Sequence, residues 1–311
     1  MSQLLKAAHF QLRRALGINR LERAIADRLE RVAILAAEQG LERVRRLPAD
    51  APLRAAELRV SSQFGDDGII QHLIRHAGVT SRTFVEFGVQ DYSEANTRFL
   101  LQHDGWSGLI LECDADAVAA IRRDPIAWRH DLTVVEALVT AASIDRLLEE
   151  HGFAGDLGLL SIDIDGNDYW VWEALRAAQP TIVVAEYNSL LGSRRAVSVP
   201  HDPASSRLRA HPSGLLWGCS LPALDHLARR KGYALVGCDS AGNNAYFVRT
   251  DRLGGLRPRT VGEAFVESGY RDSRGPDGSL TFLRGAARRA AIAAATVVDV
   301  VTGEALLVGD L

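Results

Sequence analysis

From about residue 61 the chain alternates short apolar runs with amphipathic stretches, and that alternation predicts the fold. "TFVEFG", "SGLILEC", "LTVVEALV", "LGLLSIDID" and "TIVVAEYN" read as five strands, rich in β-branched and large apolar side chains. Between them "EANTRFLLQHD", "DADAVAAIRR", "AASIDRLLEEHG" and "DYWVWEALRAA" carry apolar residues at helical spacing. Strands that alternate with helices in this way form a mostly parallel sheet covered on both faces. "GYALVGCDSAGNNAYFVR" then reads as two strands joined by a turn, a hairpin that finishes the sheet's edge antiparallel.

Ahead of this region, residues 1–47 read as helix. Leu4, Leu5, Ala8, Leu12 and Leu16 share one face, Gly17 and Asn19 break the pattern, and Leu21, Ile25, Val32 and Leu35 resume it. The helix predicts packing on the main domain or on a second copy of the chain. Arg13, Arg14 and Arg20 offer a second use, contact with an anionic membrane surface. Pro48 and Pro52 end the helix in a linker. The expected divisions are a helical extension and linker over 1–55, a catalytic domain over 56–250, and an extension over 251–311 whose role is open and to which no chemistry is assigned.

Composition narrows the class. With 311 residues and 47% hydrophobic content the chain can bury a substantial core. A net charge of −3 argues against nucleic acid as a partner. Cys113, Cys219 and Cys238 lack paired spacing, which disfavours a disulfide framework or a cysteine zinc site and fits a reducing compartment. Neither a secretory signal nor an apolar run long enough to span a bilayer is evident, so a cytoplasmic protein is expected.

The strand tips carry the candidate chemistry. Ligands of an open parallel sheet bind beyond the carboxyl ends of its strands, and here those ends hold Glu86 and Gly88, then Glu112, then Asp163 and Asp165, then Glu186 and Asn188. A glycine after the first strand lets backbone approach a nucleoside, and an acid ending the second can accept both ribose hydroxyls. "GVQDYS" lacks the further glycines that receive a pyrophosphate, so a phosphate-free nucleoside such as S-adenosylmethionine suits the site. Helix capping by Glu86 and Glu112 is the competing reading of the same spacing.

"SSQFGDDGII", "FVEFGVQDYSEANTRFLLQHDGWSGLILECDADAV", "SIDRLLEEHG" and "LLSIDIDGND" resemble, in order, the successive motifs of the FkbM-type methyltransferase family. The resemblance covers residues 61 to about 190. It implies a class I methyltransferase (Rossmann-like) fold with S-adenosylmethionine as methyl donor. By position it puts Glu86 and Gly88 at the methionine end of the cofactor and Glu112 at its ribose. Asp91 and Asn96 flank the donor, and Asp163 and Asp165 lie at the strand end beside the methyl group. The chain departs from the family pattern at Tyr92, where a glycine is usual, at Ala95 in place of serine, and at Cys113 in place of proline.

The acid-rich "DIDGND" admits other readings. A haloacid-dehalogenase-like phosphotransfer loop would use Asp163 and Asp165 as nucleophile and acid, but it normally opens its fold, and only Lys231 follows here. A calcium loop is excluded, because Gly166 comes too early and Ala174 stands where a bidentate glutamate is needed. As pure structure, Asn167 or Asp168 would cap the helix carrying Trp170 and Trp172, both expected in the core. The favoured reading joins Asp163, Asp165, Glu186 and Asn188 into a Mg²⁺ site that activates an acceptor hydroxyl. Without metal, Asp163 or His201 is the base. The expectation is an O-methyltransferase acting on a hydroxyl of a sugar, glycan or other polyhydroxylated small molecule. The sugar rests on family analogy and places the chain in polysaccharide biosynthesis. A non-catalytic binding protein on the same fold stays open as well, made plausible by Tyr92.

Overall fold

The computed structural model describes residues 18–164, 166–203, 207–270 and 272–311. Seven strands form the main sheet: β1 (Thr83–Phe87), β2 (Ser107–Glu112), β3 (Leu132–Glu136), β4 (Gly155–Ile162), β5 (Ala178–Glu186), β6 (Tyr233–Cys238) and β7 (Asn244–Arg249). Their order is β3-β2-β1-β4-β5-β7-β6. The first five are parallel, and β7 is antiparallel to both of its neighbours. This is a mostly parallel, doubly wound sheet with helices on both faces, as the alternation of strands and helices predicts. The expected hairpin does complete the edge, but its second strand sits inside its first. The antiparallel strand is therefore one place in from the rim.

Side-chain alternation explains the two cores. On β1, Val85 and Phe87 join one apolar layer with Leu109, Leu111, Leu160, Val183 and Phe247, against helices Ile144–Glu150, Asp168–Ala174 and Leu221–Arg230. Phe84 joins the opposite layer with Ile110, Leu159, Ile182, Val184 and Tyr246, against helices Asp66–His76 and Arg98–Gln102. Period-two patterning assigns the faces. Helix Ala115–Arg123 starts where the sequence signals it, with Asp114 accepting N–H bonds from Asp116 and Ala117.

The N-terminal helix runs over Ile18–Arg45. The face expected for residues 4–16, together with Arg13 and Arg14, lies outside the described residues, as do the side chains of Arg20 and Leu21. Ala37, Leu41 and Val44 are buried, whereas Ile25, Leu29, Val32 and Leu35 remain exposed. The resumed stripe of the sequence reading is thus not the face that docks at the C-terminal half of this helix. Among the described residues, no helix is long and apolar enough to cross a membrane.

Residues 251–311 fold back onto the main domain. Thr296–Asp299 pairs antiparallel with both Ala305–Leu307 and Val197–Ser198, which makes a small second sheet beside the segment that follows β5. Tyr187, just past β5, donates to the Val266 carbonyl at 2.7 Å, and Ser268 N–H donates to Ser189 Oγ at 2.9 Å. These bonds bring the tail to the carboxyl edge of the sheet.

Candidate active site

A cavity of about 410 Å³ opens at that carboxyl edge, within the range of small-ligand sites. Gly88, Glu112 and Asp163 all line it, as do Gln90, Asn167, Glu186 and Asn188. It spans the tips of β1, β2, β4 and β5, so it includes the gap between β1 and β4 where the strand order reverses, the expected ligand crevice of a doubly wound sheet.

Gly88 has φ +81°, and a Cβ there would lie 1.4 Å from the Asp163 carbonyl oxygen. Glycine is required because two backbones meet, the β1 tip and the β4 tip. Glu112 is buried and lines the cavity while its two oxygens accept N–H bonds from Gln90 and Asp114, each at 2.9 Å. It holds the loop after β1 against the loop after β2. Loop bracing and pocket lining therefore coexist in this carboxylate; the cap of the following helix is Asp114.

Glu86 lies behind the cavity rather than in its wall. Its carboxylate accepts N–H bonds from Asn96 (2.9 Å) and Thr97 (3.1 Å), a bond from the Thr97 hydroxyl, and one from Ser161 Oγ at 3.2 Å. Burial pushes its pKa up, and these donors oppose the shift. Asn96 does not line the cavity either; its side chain donates to Ser161 Oγ at 3.1 Å. Asp91 is exposed and folds onto Ser93, accepting from its N–H and hydroxyl, which holds the Asp91 carboxyl below its ordinary range. Of the seven residues that the resemblance places around the cofactor, Gly88, Glu112 and Asp163 line the cavity; Glu86, Asn96 and Asp91 shape or flank the loop beside it, and Asp165 lies outside the described residues.

Tyr92 does not fill the cavity. Its φ is +63°, its ring is fully buried in the core layer on the far side of the loop, and its hydroxyl pairs with Thr97 Oγ1 at 2.9 Å. Arg98 packs over the ring at 5.7 Å and donates to the Tyr92 carbonyl. The aromatic at this position thus stiffens the loop without occupying the ligand space.

The loop after β4 is closed by Asp168, not capped by it. Its carboxylate accepts the N–H groups of Ile164 (2.9 Å) and Gly166 (3.1 Å). Asn167 stands at the N-cap without a capping side-chain bond; its Nδ2 donates to the Asp202 carbonyl instead, and its buried Oδ1, on the cavity wall, meets no hydrogen-bond partner among the described residues. Trp172 is in the core as expected, while Trp170 is half-buried and donates to the Val199 carbonyl. His201 is exposed, stands 5.8 Å from the Trp170 ring, and is not among the lining residues.

Asp163, Glu186 and Asn188 share the cavity wall, but they are not joined as a cation site among the described residues. Asp165 lies outside those residues. Asn188 is committed elsewhere: its Oδ1 accepts Leu190 N–H, and its Nδ2 donates to the carbonyls of Leu215 and Trp217. No group of three or more His, Cys, Asp and Glu among the described residues is arranged to hold a metal.

The phosphotransfer reading loses its cation in the same way. Lys231 does not line this cavity; its ammonium donates to the carbonyls of Glu173 and Leu175. Cys113 does line it, but burial and then Glu112 push its thiol up, away from a thiolate nucleophile.

The structure adds residues that the strand-tip pattern did not predict. Gln63 and Phe64 come from the segment before helix Asp66–His76, Trp217 and Arg207 from the connection after β5, and Ser268, Tyr270 and Arg288 from the tail. None lies at a parallel strand's end, so periodicity could not have found them. Of these, Gln63 and Phe64 fall within a motif quoted for the family resemblance.

No protein-family model matches the chain, and no curated protein does. Among solved structures it is similar to the CurJ carbon methyltransferase, at 9% identity and TM-score 0.38, covering 59% of this chain and 52% of that one. The chain thus spans about half the length of that protein. It is also similar to the N-terminal domain of EvdMO1, solved with S-adenosylhomocysteine (SAH) and D-fucose, at 11% identity and TM-score 0.39 over 75% and 97% of the two chains. An O-methyltransferase from Bacillus cereus in complex with SAH stands at 14% and 0.37, over 67% and 89%. Likeness this distant adds nothing to the geometry of the site, which has to carry the functional reading by itself.

Proposed function

We propose that this chain is an S-adenosylmethionine-dependent O-methyltransferase acting on a hydroxyl of a sugar or another polyhydroxylated metabolite. The observation that carries the reading is the convergence of Gly88, Glu112 and Asp163 on one cavity at the switch point of a sheet with class I methyltransferase order. The loop after β1 has no phosphate-binding glycines, and Glu112 brings a carboxylate where a ribose diol would lie.

When bound, S-adenosylmethionine supplies an electrophilic methyl group on a positively charged sulfur. Glu112, held by Gln90 and Asp114, orients the ribose hydroxyls. The Gly88–Asp163 contact fixes the loop after β1 relative to the β4 tip and would hold donor and acceptor in one orientation. Asp163, on the cavity wall, would take the proton of the acceptor hydroxyl. Positioning accounts for much of the acceleration in such a displacement. No step is assigned to His201 or to a metal ion.

Isothermal titration of the full chain with SAH tests the reading. Micromolar binding is expected; no heat with folded protein would remove the proposal. Turnover of p-nitrophenyl phosphate that disappears in Asp163→Asn would replace it with the phosphotransfer alternative.

A further inference from the structure

Arg288 is 7% exposed and lines the same cavity, yet its Nε meets no hydrogen-bond partner among the described residues. Its Nη1 donates to the Ser268 carbonyl at 2.6 Å. Arg207, a second lining residue, donates from Nε to the Gly214 carbonyl at 2.6 Å and stands over the Trp217 ring at 5.2 Å. The charged neighbours acting on Arg288 are Glu267, which favours its cation, and Arg207, which opposes it; burial is the largest effect and pushes its pKa down. A guanidinium buried on a cavity wall with a donor left over is costly unless an anion completes it. A guanidinium presents the planar fork that binds carboxylates and phosphates, and Arg207 brings a second, half-buried cation to the same wall.

Their place in the fold separates them from the donor. Ser268, which receives Arg288, is tied to Ser189 just past β5, and Asn188 holds the backbone of Leu215 and Trp217 beside Arg207. Glu112 ends β2, three strand spacings from β5 in the sheet order, or about 14 Å away. The arginines therefore stand on the β5 side, with Asp163 between them and the ribose position.

We propose that the acceptor carries an anionic group, a carboxylate or a phosphate ester, that Arg288 and Arg207 hold so that a hydroxyl of the same molecule faces Asp163. This names the substrate class for the methyltransferase reading and rests on it: an acidic polyol, such as a uronic acid or a sugar phosphate, rather than a neutral sugar. It also gives the tail a role as the acceptor wall.

The test is calorimetry on the full chain. SAH is titrated first; inorganic phosphate, glucuronate and glucose follow on the saturated protein. Phosphate or glucuronate is expected to bind at least about tenfold more tightly than glucose, and the better of the two identifies the anion. Arg288→Gln should weaken that anion roughly tenfold to a hundredfold and leave SAH nearly unchanged. Arg207→Gln, less buried, provides a second variant should the first fail to fold. Equal binding of glucose, indifference to both substitutions, or SAH affinity falling with the anion's would overturn the proposal, the last because the arginines would then serve the donor's own carboxylate. SAH binding with no anion bound would sink the proposal alone. Absence of SAH binding would sink the methyltransferase reading and the acceptor role with it.

Discussion

The Gly88 backbone and the Asp163 carbonyl approach so closely that no side chain fits between them: an added Cβ would sit 1.4 Å from that oxygen. Positive φ at Gly88 adds a second barrier to substitution. Gly88→Ala should therefore force the β1 and β4 tips apart. The expected result is a loss of about 2–4 kcal/mol of stability and loss of SAH binding, measured by chemical denaturation and calorimetry on the same preparation. Wild-type affinity in a stable Gly88→Ala protein would show that the contact does not shape the site.

Glu112 is expected to act on the ligand more than on the fold, because both of its bonds go to loop N–H groups at the cavity wall. Replacing it with Gln keeps an acceptor for one of them. Glu112→Gln should weaken SAH binding about tenfold or more, the scale of a charge-assisted hydrogen bond, with a melting temperature close to wild type. Equal losses of affinity and stability would instead assign Glu112 a purely structural role.

Glu86 should behave in the opposite sense. Four donors converge on its buried carboxylate from Asn96, Thr97 and Ser161, and Gln would turn an amide N–H₂ toward some of them. Glu86→Gln is predicted to destabilise the protein by about 2–4 kcal/mol, since buried donors are left unpaired. SAH binding should weaken as a consequence of the disordered loop and recover in part when the protein is stabilised with osmolyte. Urea unfolding midpoints would reveal the effect.

Stability should also depend on pH through Asp239. This carboxyl is fully buried; its Oδ1 accepts N–H bonds from Gly242, Asn243 and Asn244, while its Oδ2 meets no hydrogen-bond partner among the described residues. Burial, then the nearby Asp66, push its pKa up to about 7, against the three N–H donors. Its unfolded value is about 3.9, so the folded state binds the extra proton between the two. The contribution is complete below about pH 4 and is lost as pH rises through about 7. Asp239→Asn keeps an oxygen for the three N–H groups and removes the charge. Its melting temperature should exceed wild type by several degrees at pH 8 and converge with it near pH 4; parallel melting curves at the two pH values would refute this.

The amino-acid order alone was enough for the strands, their faces and the acids at their tips. Period-two runs such as Phe84-Val85-Glu86-Phe87 declare both faces of a buried strand locally, and Gly88 and Glu112 follow from where those strands must end. Sequence spacing could not tell which tip acids line the cavity. Glu86 and Glu112 look alike along the chain, but the pleat turns Glu86 toward Thr97 and the core layer, whereas Glu112 faces both a loop and the cavity. Nor could it show that Asn188 is used up by three backbone partners, that Tyr92 turns away from the cavity, or that Arg288 closes a wall 200 residues from Gly88. Hydrophobic periodicity records burial within one element at a time; the meeting of Arg288, Arg207 and Asp163 depends on long-range hydrogen bonds that only the folded chain makes.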